Sequence, residues 1–235
     1  MKKAIFFDLY GTLIDIRTDE HDPWVYSVLS QYLSYHSVNI KPEELKEAYF
    51  GRIEQHFEQS EEEYPEVDIQ GIFNEIMHQY GNKRYAEAIV SDTALLFRSL
   101  TIRHFDLFPF LADTLTRLSK DYSMAIISDA QWVFAEPETE MLGLDRFFEL
   151  RILSSHFGFK KPDVRLFDIA MEKLEAKPEE SIYVGDVLQR DLVGAKRAGM
   201  KCILFRSECL EHADLIADGC FFDYSVLENI ISAIA

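Results

Sequence analysis

The chain has 235 residues, 48% of them hydrophobic, and a formal net charge of −17. This length fits one large domain or a domain carrying an insertion, and the composition is globular rather than disordered. So acidic a balance excludes nucleic acid as a partner, because that binding rests on Lys and Arg neutralising phosphates. No apolar run approaches the length that spans a bilayer, so no membrane partner is expected. Met1-Lys2-Lys3 imitates the basic start of a signal peptide, but the apolar run behind it is short and Asp8 interrupts it. The expected location is therefore the cytoplasm. Cys202, Cys209 and Cys220 are odd in number and lack C-x-x-C spacing, which points to neither a zinc site nor a disulfide framework.

In chain order, Ala4-Ile5-Phe6-Phe7 is an apolar run of strand length that ends in Asp8, followed by a Gly11-Thr12 turn. Such a run fits a parallel strand buried on both faces. A long helical region follows. Val25, Leu29, Tyr32 and Leu33 recur at helical spacing, as do Leu45, Ala48, Tyr49 and Ile53. Glu58 to Asp68 reads as an acidic loop, Ile72, Ile76 and Tyr80 mark another helical face, and Ala86 to Leu100 a further helix. No β segment is expected in this region, which reads as an all-helical insertion from about 16 to 101. From Phe105 onward helices and strands alternate. Leu111, Leu115 and Leu118 mark a helix, Tyr122–Ile127 a strand ending at Ser128-Asp129, and Gln131–Leu142 a helix closed by Gly143. Phe148–Leu153 reads as a strand, Leu166–Leu174 as a helix, and Ser181–Val184 as a strand ending at Gly185-Asp186. A helix over Leu192–Ala198, a strand over Lys201–Phe205, a short strand at Gly219–Phe222 and a terminal helix over Val226–Ile234 complete the pattern. Repeated αβ units imply a parallel sheet with helices on both faces.

The chemistry concentrates at predicted strand ends: Asp8, Ser128 and Asp186, with Lys161 just before a helix in Gly158-Phe159-Lys160-Lys161-Pro162-Asp163. A parallel sheet binds ligands outside the carboxyl ends of its strands, so these distant residues are expected at one edge. The set Asp8-Leu9-Tyr10-Gly11-Thr12-Leu13, Ile127-Ser128-Asp129, Lys161-Pro162-Asp163 and Val184-Gly185-Asp186, with Asp191, Gly194-Ala195 and Ala198-Gly199, resembles the haloacid dehalogenase superfamily of hydrolases.

The resemblance covers nearly the whole core. It implies a doubly wound, Rossmann-like α/β core at about 1–15 and 102–235, with a helical cap domain at 16–101. It implies Asp8 as a nucleophile that forms an aspartyl-enzyme intermediate, a role carboxylates fill in phosphoryl transfer. It implies Mg2+ held by Asp8, Asp186 and the backbone carbonyl of Tyr10, with Asp191 as a further ligand or a support for one. Mg2+ suits a site of one or two carboxylates plus substrate phosphate. Lys161 would neutralise nucleophile and phosphate, while Ser128 and the backbone N–H of Asp129 would hydrogen-bond a phosphate oxygen. Preorganised charge of this type is usually the largest catalytic contribution. The implied partner is a small phosphate ester, which an acidic chain still accepts because a lysine and a metal invert the field of one pocket.

Tyr10 departs from this pattern. Phosphatases that the sequence resembles usually carry an aspartate two residues after the nucleophile, where it protonates the leaving alcohol and activates water. A tyrosine, with a pKa of roughly 10, serves poorly as either acid or base near neutrality. Tyrosine there is instead similar to the metal-independent 2-haloacid dehalogenases, whose halide leaves without a proton. Asp186 argues the other way, since an uncompensated carboxylate would repel a haloacid. A Mg2+-dependent phosphatase of small metabolites is therefore the first expectation, a dehalogenase the second, and a catalytically idle binding protein the third. No specificity motif is legible in the helical insertion. Its neighbourhood offers Arg17, Lys46, Arg52, Lys83 and Arg84 to an anionic substrate, and solvated helix faces explain them equally well. His56, His78 and His156 show no ligand spacing, and no pattern encodes an oligomeric state.

Overall fold

Strand β1 (Lys3–Phe7) lies at the centre of the protein, seen here in a computed structural model that describes residues 3–208 and 210–234. Cys209 lies outside the described residues. After β1 come β2 (Ile14–Thr18) and four helices: α1 (Pro23–Tyr35), α2 (Pro42–Gln59), α3 (Ile69–Tyr80) and α4 (Glu87–Thr101). Then follow β3 (Ile102–Leu107), α5 (Leu111–Leu118), β4 (Tyr122–Ser128), α6 (Trp132–Met141), β5 (Leu150–Leu153) and α7 (Val164–Lys173). Strand β6 (Ser181–Gly185) leads through a π-helical turn (Leu188–Leu192) into α8 (Val193–Arg197) and β7 (Lys201–Phe205). A small hairpin, β8 (Glu211–His212) and β9 (Leu215–Ile216), precedes β10 (Gly219–Phe221) and α9 (Leu227–Ile234).

Six strands form a parallel sheet in the order β10-β7-β6-β1-β4-β5. The alternation of side chains along β1 shows why it is central. Ile5 and Phe7 point into one core with Leu111 and Leu115 of α5 and Ile231 of α9. Ala4 and Phe6 point into the other, with Leu166 and Phe167 of α7 and Ala195 of α8. A strand covered on both faces must be apolar throughout, as this one is. The fold is thus the α/β, doubly wound parallel sheet the sequence implies.

The four helices between β2 and β3 share a third apolar cluster built around Leu29, Leu45, Tyr49, Phe73 and Phe97. Val133 and Phe134 of α6 join that cluster and seat the bundle on the sheet layer. Three helices start at aspartate caps: Asp22 accepts from the Trp24 N–H, Asp68 from Gln70 and Asp163 from Arg165. Each such cap is worth about 1 kcal/mol. Among the described residues no helix is long and apolar enough to cross a membrane.

Strand β2 corrects the sequence reading, which expected no β segment between 16 and 101. Strand β2 runs through residue 16 to Thr18 and pairs antiparallel with β3, joining the bundle to the sheet layer. It escaped notice because its burial decays from Ile14 to exposed Arg17 and Thr18, leaving no apolar run to read. The β8–β9 hairpin, only two residues per strand, leaves still less signal.

Candidate active site

Strands β6, β1 and β4 are neighbours, so Asp8, Ser128 and Asp186 meet at their carboxyl ends. The Asp8 N–H donates to Val184 O at 2.9 Å, which extends the β1–β6 ladder by one residue and fixes where the carboxylate projects. The loop after it turns at Gly11, whose φ is +85°. A Cβ on Gly11 would collide with the Asp186 carboxylate, so the loop packs directly on that side chain. Thr12 Oγ1 donates to Asp186 Oδ1 at 3.2 Å.

Lys161 is fully enclosed and reaches the cluster from the loop before α7. Its Nζ lies 3.0 Å from Asp8 Oδ1 and 2.6 Å from Asp191 Oδ1, and it donates to the Tyr183 hydroxyl at 2.9 Å. Lys160 instead lies with its amine 5.0 Å over the Phe57 ring. Asp191 sits on the π-helical turn. Its Oδ2 accepts from the N–H groups of Asp186 and Val187 at 3.0 and 2.8 Å, and its Oδ1 faces Lys161 and the Tyr183 hydroxyl. Gly185 lies against the same carboxylate, with no room for a Cβ. Asp129, beside Ser128, accepts from the Lys161 backbone N–H at 2.8 Å and pairs with Arg190 at 3.2 Å. Its charge is therefore engaged in holding two loops together.

One lysine faces three carboxylates, those of Asp8, Asp186 and Asp191, whose oxygens lie within 4.8 Å of one another. Burial pushes the Lys161 ammonium down, but Asp191, Asp8 and Asp129 together hold it above its ordinary value, so it stays charged. Burial raises the Asp8 carboxyl, opposed by Lys161 and a hydrogen bond from Ser128. Burial also works against the Asp191 charge, yet Lys161 and the Val187 N–H hold that carboxyl below its usual range. Burial, then the charges of Asp8 and Asp191, push Asp186 up to about 6. The cluster is short of positive charge.

Above it lies a cavity of about 330 Å³. Four of its lining residues are chain neighbours of the cluster: Tyr10, Asp129, Lys160 and Arg190. Others, including Glu20, Tyr49 and Arg98, come from the helical bundle and its approach. Tyr10 does not face the cluster with its hydroxyl. That group donates to Glu138 Oε2 at 2.5 Å. Arg98 of α4 clasps the same carboxylate through Nε at 2.6 Å and Nη2 at 3.1 Å, and lies 5.0 Å over the Tyr10 ring. Burial first, and then Glu138, push the Tyr10 hydroxyl pKa well above its usual value, with Arg98 opposing.

Arg98, Glu138 and Tyr183 went unnoticed in the sequence. Glu138 alone carried a signal, as a carboxylate on the buried face of α6 with Phe134 and Ala135. The basic residues that did stand out lie elsewhere. Arg52 pairs with Glu75, Lys46 bonds the His21 carbonyl, and Arg17, Lys83 and Arg84 are exposed. His56 pairs with Glu75 and His156 with Glu136, away from the acidic cluster.

The cluster stands where the strand order reverses beside β1, the usual ligand position of a doubly wound α/β protein. Residues 5–205 match the family model of the haloacid dehalogenase-like hydrolases, and the chain belongs to that family. Among curated proteins, it is 34% identical over 124 residues to a glyceraldehyde 3-phosphate phosphatase of Methanothermobacter thermautotrophicus, a match covering 52% of this chain and 55% of that one. The chain thus spans about half the length of that relative. Among solved structures, a 2-haloacid dehalogenase from Pseudomonas syringae superposes with a TM-score of 0.71 at 21% identity, covering 100% of both chains. A HAD phosphatase from Thermococcus onnurineus gives 0.62 at 20% identity, covering 97% of each chain. At these identities the two structures speak for the fold.

Proposed function

We propose that the protein is a cytoplasmic, Mg2+-dependent phosphatase of small phosphorylated metabolites, working through an aspartyl-phosphate on Asp8. The observation that carries this reading is the placement of Asp186 beside Asp8, with its carboxyl pushed up to about 6 by burial and by the charges of Asp8 and Asp191. A haloacid, itself a carboxylate, would enter a site that already holds three carboxylates to one lysine. A divalent cation fits the donor set, which is made of hard carboxylate oxygens. Asp8, Asp186 and the Tyr10 carbonyl would hold it, and when bound it supplies charge that offsets the repulsion between Asp8 and phosphate. The phosphatase named among the relatives supports the same class.

In this reading residues 1–15 and 102–235 form the catalytic core and 16–101 a cap that covers the cavity. The Asp8 carboxylate attacks phosphorus, a P–O bond to Asp8 forms, and the bond to the leaving oxygen breaks. Water then attacks phosphorus, and inorganic phosphate and free Asp8 result. Lys161, held by Asp191 and Tyr183, neutralises the Asp8 side of the reaction. Ser128 and the Asp129 N–H bind phosphate oxygens. Tyr10, its proton held toward Glu138, neither protonates the leaving group nor activates water. The enzyme therefore favours substrates whose leaving group departs unprotonated, so aryl and acyl phosphates turn over faster than sugar phosphates.

Tyr10 is also the observation that favours a second reading, halide displacement from a 2-haloacid. A paired assay separates the two: phosphate release from nitrophenyl phosphate and halide release from 2-chloropropionate, each with Mg2+ and with chelator. The expected result is phosphate release that chelator abolishes and that an Asp8→Asn variant lacks. Halide release indifferent to chelator, without phosphate release, would replace the phosphatase reading.

A further inference from the structure

The cavity above the cluster has a charge pattern that bears on what the substrate carries beyond its phosphate. It is lined by three cations, Arg98, Lys160 and Arg190, and three carboxylates, Glu20, Glu66 and Asp129. Two of the cations are already paired with carboxylates. Arg98 gives Nε and Nη2 to Glu138, whose side chain is 3% exposed, and Arg190 gives Nη1 to Asp129. A guanidinium committed to a buried carboxylate has little attraction left for a second anion.

Two of the carboxylates are not paired in this way. Glu66 is held by neutral donors: the Ser154 hydroxyl on Oε2 at 2.7 Å, and the Val67 N–H on Oε1 at 2.9 Å. Its own N–H is tied to Gly158 O at 2.9 Å, so the side chain is fixed in place. Glu20 receives the Tyr49 hydroxyl at 3.4 Å, and its backbone carbonyl accepts from Tyr26 at 2.8 Å; burial raises its carboxyl, and Arg98, already held by Glu138, opposes that rise. Against these two fixed negative charges stands the ammonium of Lys160, next to the lysine of the cluster. The balance on this wall is one negative charge.

We propose that the part of the substrate beyond the phosphate carries no second anionic group, and that Glu20 and Glu66 enforce this as specificity-determining residues. The substrate class is then a neutral or amine-bearing phosphate monoester. This rests on the phosphatase reading above. A fixed like charge is the repulsive element by which a site rejects the wrong partner. An amine or hydroxyl in the same position finds carboxylate acceptors.

The test uses the Mg2+-loaded enzyme and three phenyl phosphates that differ only in a meta substituent: carboxamide, aminomethyl or carboxylate. The carboxamide and carboxylate esters are nearly isosteric, so charge is the main variable. The carboxylate ester is expected to show at least about tenfold lower kcat/KM than the carboxamide. In Glu20→Gln or Glu66→Gln, that gap is expected to narrow at least about threefold, with the aminomethyl ester losing ground to the carboxamide. A residue with a merely structural role would lower all three together and leave the ratio unmoved. Equal turnover of the carboxylate and carboxamide esters, or a gap unchanged in both variants, overturns the inference alone. Phosphate release from none of the three overturns both the inference and the phosphatase reading.

Discussion

Replacing Asp191 by asparagine tests whether this residue is an anchor of Lys161 or a ligand for a cation. Its side chain is fully buried and is held by Lys161 at 2.6 Å and by the N–H groups of Asp186 and Val187 at 3.0 and 2.8 Å, with the Tyr183 hydroxyl, which also lies 2.9 Å from the Ile127 carbonyl, at 3.1 Å. Asparagine keeps the shape but has one acceptor oxygen. Its amide group must face either two backbone donors or an ammonium, and Lys161 loses its nearest counter-charge. Neutralising one partner of a buried pair costs about 3–5 kcal/mol. For a chain of this size each kcal/mol moves Tm by about 2–4 °C, so a fall of roughly 6–20 °C is expected. The measurement is thermal unfolding with chelator present. There the two roles predict opposite signs. If Asp191 served chiefly to bind metal, removing its charge from a metal-free trio of carboxylates would relieve repulsion, and Tm would hold or rise. That outcome would refute the anchor role. The sign with pH follows from the depressed Asp191 carboxyl, which binds protons less tightly folded than unfolded. The stability it contributes is present above its unfolded pKa of about 3.9 and is lost as acid protonates it. Wild type and variant should therefore differ fully near neutrality and converge in acid.

Asp186 gives the reverse dependence. Its folded pKa of about 6 lies above the unfolded value, so its contribution to the metal-free protein is present in acid and lost as pH rises through 6. A bound cation reverses that loss, so the Tm gain from Mg2+ should be small at acid pH and large above pH 6; a gain independent of pH would contradict the assignment. The Arg98–Glu138 bridge, with side chains 12% and 3% exposed, yields a third expectation. Arg98→Met and Glu138→Leu should each cost about 3–5 kcal/mol in denaturant unfolding, while the double variant recovers most of the loss because no charge is left stranded. Additive losses would show that the two residues do not form one desolvated pair.

What was legible in the sequence was what a parallel sheet writes in runs. Strand β1 has to be apolar from Ala4 to Phe7 because both faces are covered, and a carboxylate at the end of such a run stands out. The same logic made Ser128 and Asp186 visible, and the Pro162-Asp163 pair after Lys161 selected it over Lys160. The ribbon of β2 and β3 was not legible, since a two-stranded, half-exposed element needs no apolar run. Arg98 was hidden for a different reason. A lone arginine on an amphipathic helix looks like any solvated residue until the partner helix is in place, and Glu138 lies 40 positions away. Tyr183 was hidden because its ring belongs to the apolar pattern of β6, where nothing marks the hydroxyl that meets Lys161.

Tyr10 makes sense once these pieces are joined. Read alone, it marks the absence of an acid where the phosphatases that this chain resembles carry one. In the fold it is a strut: its ring lies under Arg98 of the bundle and its hydroxyl is bound to Glu138 of α6, while its backbone belongs to the loop that packs on Asp186. The loop bearing Asp8 is thereby coupled to the seat of the helical bundle through a buried, charge-assisted contact. An aspartate in that position is too short to reach Glu138, so the contact that ties the loop to the bundle would be lost. The tyrosine and the Arg98–Glu138 bridge are therefore one device. In the phosphatase reading proposed above, the demand then passes to the substrate, whose leaving group would depart without a proton from this residue.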